Sequence, residues 1–349
     1  MDKATELLKQ LISTPSFSSE EEKTGDLIQA YMQLHQVETF RYMNNIWAKN
    51  RLYSPEKPTL LLNSHHDTVR PSPAYTKNPF EPVVEDGKLY GLGSNDAGGA
   101  LVSLITVFCR LYDKPLPFNL IIALTAEEEA IGKNGIAALW QYLGKVDFAL
   151  VGEPTGMQAA IAERGLIVLD CLAKGVSGHA ARNEGKNAIY KAIDDINWFR
   201  TFKFPKISQL MGAVKMSVTV IDAGSQHNVI PAECRYIVDI RPTDCYSNEE
   251  IVEIIRQNVS STVVPRSLHL KASAISENHI LAKTAQALNI PQYISPTTSD
   301  IARINVPAIK MGPGDSARSH TADEFIYLAE IDNAIDQYQT FIEKMMNSD

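Results

Sequence analysis

The amino-acid sequence predicts an α/β fold with a mostly parallel mixed sheet, interrupted by a smaller inserted α+β domain. Three observations carry this. At 349 residues the chain exceeds one ordinary hydrophobic core and has room for two. Residues 60–151 alternate short apolar runs with longer helical patterns, the signature of buried strands feeding helices. Residues 164–275 follow a different plan, with alternating strands around two helices.

The opening MDKATELLKQLI reads as an amphipathic helix with charges throughout and no apolar h-region or cleavage site, so no secretion signal is expected. No run approaches the roughly 18 consecutive apolar residues of a membrane span. The first domain then proceeds through TLLLNSH, GGALVSLITVFCRLY, FNLIIALTAEE, GIAALWQYL and DFALVGEP, strand and helix in turn. Its polar residues cluster just after the strand runs, where open α/β sheets carry their sites.

The second domain starts near Gly165. LIVLDCLAKG reads as a strand, Gly185 to Phe199 as a helix, VKMSVTVIDAG and ECRYIVDIRP as two strands, Asn248 to Val259 as a helix, and SLHLKASA as the last strand. The order β-α-β-β-α-β is the split βαβ, ferredoxin-like arrangement. The chain then returns to helix, a strand near Ala308 to Met311 and a closing helix from Ile331 to Met346. The expected division is therefore 1–163 with 276–349 as one discontinuous catalytic domain, and 164–275 as the insertion.

A net charge of −8 with interspersed signs argues against nucleic acid as a partner. Cys109, Cys171, Cys234 and Cys245 lie far apart without CxxC spacing, which reads as reduced thiols in a cytoplasmic protein.

Five segments place His or carboxylate in a turn after an apolar run: SHHDTV (64–69), GSNDAGG (93–99), TAEEEAIG (125–132), VGEPT (151–155) and GDSARSHTADE (314–324). One such residue alone is an ordinary solvated loop charge or helix cap. Five together can supply a dinuclear metal centre, which needs imidazoles, carboxylates and one carboxylate shared between two ions. His65, Asp96, Glu129, Glu153 and His320 make that set. Asp67 is placed to accept the second ring N–H of His65 and fix its tautomer. His66, pointing the other way from a strand end, reads as a packing histidine. Of the adjacent Glu128 and Glu129, side chains that diverge, the first is assigned as proton-transferring base and the second as ligand.

These segments resemble the H-x-D, G-x-x-x-D, E-E, G-E-P-[TS] and H-T-x-x-E motifs of the M20 metallopeptidase family, in order and over nearly the whole chain. The resemblance implies a zinc-exopeptidase-like catalytic domain holding two zinc or cobalt ions. It also implies an inserted lid through which subunits form a homodimer. It assigns His65 and Glu153 to one ion, Glu129 and His320 to the other, Asp96 as bridge, and a cis peptide after Asp96. SGHAARNEGKNAI (177–189) is similar to a lid stretch whose histidine, here His179, reaches the other subunit's metals and meets the oxyanion. DAGSQHNVIPAECRYIVDIRP (222–242) resembles a lid segment that suggests Asn228 and Arg241 as substrate contacts. Asn228 equally reads as a hairpin turn, and Arg241 as a partner of Asp239 or Asp244. Three positions depart from the pattern: Gly98 for lysine, Glu127 for aspartate and Asn183 for proline. None removes a ligand.

A substrate carboxylate is commonly met by arginine, and Arg182, Arg241, Arg303 and Arg318 are candidates. The SARSHTADE ending and TTSD (297–300) look most like the acetylornithine deacetylase and succinyl-diaminopimelate desuccinylase branch. The expected activity is thus removal of an acetyl or succinyl group from the α-nitrogen of ornithine, in arginine biosynthesis. Alternatives are a dipeptidase or aminopeptidase, a deacylase of N-acetylcitrulline or acyl-diaminopimelate, and a catalytically silent dimer.

Overall fold

The computed structural model describes residues 3–182 and 184–346 and divides the chain into two compact units. The first runs through Ile161, resumes from Ile275 to Tyr293 and again from Ser299 onward; the second comprises Ala162–Ala274 and Ile294–Thr298. Sequence patterning drew the boundaries at 163/164 and 275/276 and kept 294–298 with the first unit. Asn183, where the motif has proline, lies outside the described residues.

The first unit is organised on Thr59–His65, which pairs in parallel with Asn119–Thr125 on one side and Phe148–Val151 on the other. Ala308–Lys310 extends the parallel core beside Phe148–Val151. Antiparallel strands flank it: Asn45–Lys49 and then Phe40–Tyr42 at one side, with Ala160 opposite Lys310 at the other. The three central strands are buried along their whole length, as parallel strands covered on both faces must be. Strand periodicity divides their side chains between the faces. Leu60 and Leu62 join the core shared with helices Gly99–Leu111 and Leu328–Met346, while Leu61 joins the one shared with Ile136–Leu143. In register, His65 stands opposite Thr125 and Asn63 opposite Val151, so the segments that follow all leave from the carboxyl edge of one sheet.

The second unit contains a four-stranded antiparallel sheet in the order Lys215–Ala223, Glu233–Arg241, Ile167–Lys174, Thr262–Pro265. Ile167, Leu169, Cys171 and Ala173 are buried with helices Ala188–Thr201 and Asn248–Asn258, while the residues between them are more exposed. This is the ferredoxin-like order. The last strand is not where the periodicity placed it. TVVP (262–265) takes that place, because its β-branched residues follow the helix end directly and bury Val263. In SLHLKASA only Ser273–Ala274 is strand; the Leu268 and Leu270 carbonyls accept instead from Asn248 Nδ2.

One buried carboxylate ties this unit's helix to its sheet. Asp195 accepts the backbone N–H groups of Ser260 and Ser261 at 2.9 Å each and the Ser261 hydroxyl at 2.5 Å. Replacing Asp195 with alanine orphans these donors and is expected to cost about 3 kcal/mol. Calorimetry checks this: the loss falls on the transition of the second unit, and an unshifted transition contradicts it.

Candidate metal centre

His65 closes its strand, and its Nδ1–H donates to the backbone carbonyl of Asp67 at 3.0 Å. A carbonyl can only accept, so in the neutral ring the lone pair lies on Nε2. That nitrogen faces Asp96 Oδ1 at 3.4 Å and Glu153 Oε1 at 3.8 Å. Asp96 lies in the turn after Gly93 and precedes a cis peptide to Ala97. Its second oxygen, Oδ2, faces His320 Nε2 at 3.6 Å. One carboxylate thus presents one oxygen to each of two imidazoles. His320 is further bracketed by Glu129, with Nε2 at 3.0 and 3.1 Å from the two oxygens.

The donor atoms form two overlapping groups, His65 with Asp96 and Glu129, and His65 with Glu128 and Glu153, each within 4.8 Å. So many carboxylates at such range cannot all be ionised without cations. Burial and the neighbouring acids push Glu153 up to about 8, and burial holds Glu128 well above the usual carboxylate range and Glu129 above it too. Burial opposes the charge on His65, yet the Asp67 and Asp96 carboxylates beside its two nitrogens hold the ring well above its ordinary value. The hydrogen bond to Glu129 lifts His320 to about 9. The donor set of imidazole and carboxylate without thiolate fits divalent cations.

Asp67 does more than the sequence suggested. Its Oδ1 stands 3.5 Å from His65 Nδ1, farther than its own carbonyl. The carboxylate instead accepts the backbone N–H groups of Glu128 at 3.0 Å and Glu129 at 3.1 Å, and the Ser18 hydroxyl at 2.6 Å. It orients the glutamate pair. Glu127, in the left-handed region at φ 58°, turns the chain into that pair and accepts from Asn134 and from the Ser19 hydroxyl. Glu21, 0% exposed, receives the Glu127 N–H and Asn44 Nδ2. Asp300 is buried, pushed up to about 6 by that burial, and accepts from Thr125 Oγ1 at 2.8 Å.

Of these supporting groups, the motifs marked Asp67, while neither periodicity nor motif spacing singled out Glu21. Glu324 is a further one, holding the Asp96 turn through three backbone N–H groups that favour its ionised form while burial pushes it up to about 8. Glu324 is the glutamate of the H-T-x-x-E motif, four residues after His320, and Glu127 precedes the glutamate pair, but the motifs alone assign neither a role.

In the second unit His179 and Asn228 share a two-stranded ribbon, with His179 opposite Val229 and the Ala180 N–H donating to the Asn228 carbonyl. The Ala181 N–H donates to His179 Nδ1 at 3.1 Å, which leaves the proton of the neutral ring on Nε2. Arg182 is exposed, 3.9 Å from Glu184. Arg241 makes a two-point contact with Asp239 at 2.8 and 3.0 Å. In the first unit Arg318 is engaged by Glu330 at 2.7 and 3.1 Å and lies over the rings of Phe325 and Tyr327. Arg303 donates to the carbonyls of Gly132 and Ile131.

The model of peptidase family M20/M25/M40 matches residues 61–344. A succinyl-diaminopimelate desuccinylase of Rickettsia bellii is 26% identical, covering 98% of this chain and 97% of its own length. An acetylornithine deacetylase of Proteus mirabilis is 28% identical, covering 94% and 92%. Among solved structures, a tripeptidase from Staphylococcus aureus superposes with a TM-score of 0.80 at 19% identity, covering 99% and 98%. A dinuclear metal-binding peptidase of the M20 family from Bacillus subtilis gives 0.75 at 14% identity, covering 99% and 98%.

His66 sits behind the centre with both ring nitrogens used, Nδ1 at 2.9 Å from Thr24 Oγ1 and Nε2 at 2.9 Å from the Asn44 carbonyl. Burial lowers it to about 4. Its folded value lies below its unfolded one, so its contribution is present above the unfolded value and is lost as pH falls from the ordinary histidine range toward 4. The loss is about 3 kcal/mol. In chelator, His66→Gln is expected to show a flatter fall of stability over that window in denaturant titrations; an unchanged slope contradicts this.

Proposed function

The chain belongs to peptidase family M20/M25/M40, and we propose that it removes the acyl group from an N-α-acyl amino acid, with N-acetyl- or N-succinyl-ornithine as substrate. The observation that carries the reading is Asp96, whose two oxygens face His65 and His320 while Glu128 and Glu129 stand beside it. The names of the full-length relatives, one a desuccinylase and one a deacetylase, favour acyl removal.

His65 and Glu153 would hold one divalent cation and His320 and Glu129 a second, with Asp96 shared between them; zinc suits the donor set, and cobalt would substitute. When bound, the pair supplies Lewis acidity to the amide carbonyl and to a water. Glu128 takes the proton of the attacking water and returns it to the leaving α-amine, so the products are a free carboxylate and the amino acid. Burial holds its proton affinity well above that of an ordinary carboxylate, the direction a proton-accepting base requires. Asp67 keeps Glu128 and Glu129 apart in their two tasks by holding their backbone N–H groups.

The inserted domain completes the site in this proposal. His179, with Nδ1 occupied, offers Nε2–H as a donor to the developing oxyanion, acting from the partner subunit of a homodimer. Strand Lys215–Ala223 supports such pairing: among the described residues its ladder runs to Glu233–Arg241 alone, and Val220 and Ile221 are exposed on it. Asn228, just before the strand that pairs with His179, would contact the substrate; of the arginines considered for its carboxylate, Arg182 is exposed, while Arg241 and Arg318 would have to exchange Asp239 and Glu330 for it. Free cysteines fit a cytoplasmic setting, and no helix among the described residues is long and apolar enough to cross a membrane.

The test is release of ornithine from N-acetylornithine and N-succinylornithine, assayed side by side. Turnover of one is expected, abolished by chelator and restored by zinc or cobalt. Glu128→Gln is expected to lower kcat by roughly a hundred- to ten-thousand-fold while retaining cation binding. Cleavage of dipeptides with neither acyl-ornithine turned over would overturn the substrate assignment.

A further inference from the structure

The turn that carries Asp96 is held by a single side chain. Glu324 is 2% exposed, and both its oxygens accept backbone N–H groups. Oε2 takes that of Gly93 at 3.0 Å; Oε1 takes those of Asn95 and of Asp96 itself, at 2.9 Å each. The intervening Ser94 N–H goes to the Gly91 carbonyl, so four consecutive amides of the turn are satisfied and three of them by one carboxylate. The Glu324 carbonyl in turn accepts from Gly91 N–H. Asn95 adds a second tie, exchanging side-chain hydrogen bonds with the backbone of Asp315.

Glu324 is four residues from His320, so the segment that presents one imidazole also fixes the backbone beneath the carboxylate that imidazole faces. Asp323, between them, does a different job: it caps Thr76 and Lys77 through their N–H groups. Burying a carboxylate is costly where a neutral acceptor would close a turn.

We propose that Glu324 is a positioning residue that fixes Asp96 in the bridging place, so that affinity for the cation pair depends on it. This rests on the two-cation reading above. Glutamine in its place would offer one oxygen and one NH₂, sacrificing one or two of the three backbone bonds; alanine would lose them all.

The experiment titrates full-length, chelator-stripped protein with Co²⁺, followed by calorimetry and by the visible absorption of the bound ion. Wild type, Glu324→Gln, Glu324→Ala and Asp323→Ala are compared after circular dichroism has shown each folded. Wild type is expected to bind two equivalents. Affinity should fall about tenfold in Glu324→Gln and about a hundredfold in Glu324→Ala, with a changed cobalt spectrum. Asp323→Ala should bind as wild type although it frees Thr76 and Lys77. If Glu324→Ala does not fold, Glu324→Gln decides, since it keeps the side chain's size. Wild-type affinity and spectrum in the folded Glu324 variants would overturn the proposal, and so would equal weakening in Asp323→Ala, which marks a general loss of stability. Wild type taking up fewer than two equivalents would sink the two-cation reading, and this inference with it.

Discussion

The constraint on which the site depends is electrostatic: Asp96, Glu128, Glu129 and Glu153 converge beside two imidazoles, with donor atoms packed in groups no wider than 4.8 Å. Hydrophobic burial cannot bring like charges together without a compensating charge or proton. In the folded chain, burial and the neighbouring acids push Glu153 up to about 8, and burial holds Glu128 well above the usual carboxylate range. Divalent cations relieve the same repulsion and convert it into a binding force. The apolar sheet beneath makes the convergence achievable, because parallel strands end together and its buried layers leave the ends little freedom.

Repulsion at the centre has to be resisted by the loops, and the device used repeatedly is a carboxylate accepting backbone N–H groups. Asp67 holds Glu128 and Glu129; Glu21 holds Glu127; Glu324 holds the Asp96 turn. Each acceptor comes from a segment distant in sequence from the one it holds, so the site is closed only when the fold is. Among the residues in left-handed backbone there are Glu127 at φ 58° and His320 at φ 59°. Neither is glycine, and such conformations cost energy that the surrounding bonds must offset.

This division explains what could be read in advance. The parallel core and the ferredoxin-like insertion were legible because their apolar residues recur at strand or helix period and their burial follows it. His65, Asp96, Glu128, Glu129, Glu153 and His320 stood out because each is a polar residue ending or following an apolar run. The groups that hold them were marked only in part: Asp67 belongs to a motif, whereas Ser19 and Glu21 meet the 127–129 turn only in three dimensions and no local period marks them. SLHLKASA shows the converse error, where alternating apolar residues imitate a strand although the backbone of Leu268 and Leu270 is claimed by Asn248.

The central claim is that one carboxylate is shared by two cations. A crystal structure of zinc-loaded protein, with anomalous scattering recorded across the zinc edge, tests it most directly. The account predicts two peaks roughly 3.5–4 Å apart, one beside His65 and Glu153 and one beside His320 and Glu129, with an Asp96 oxygen on each. A single peak, or two peaks that do not share Asp96, would contradict it.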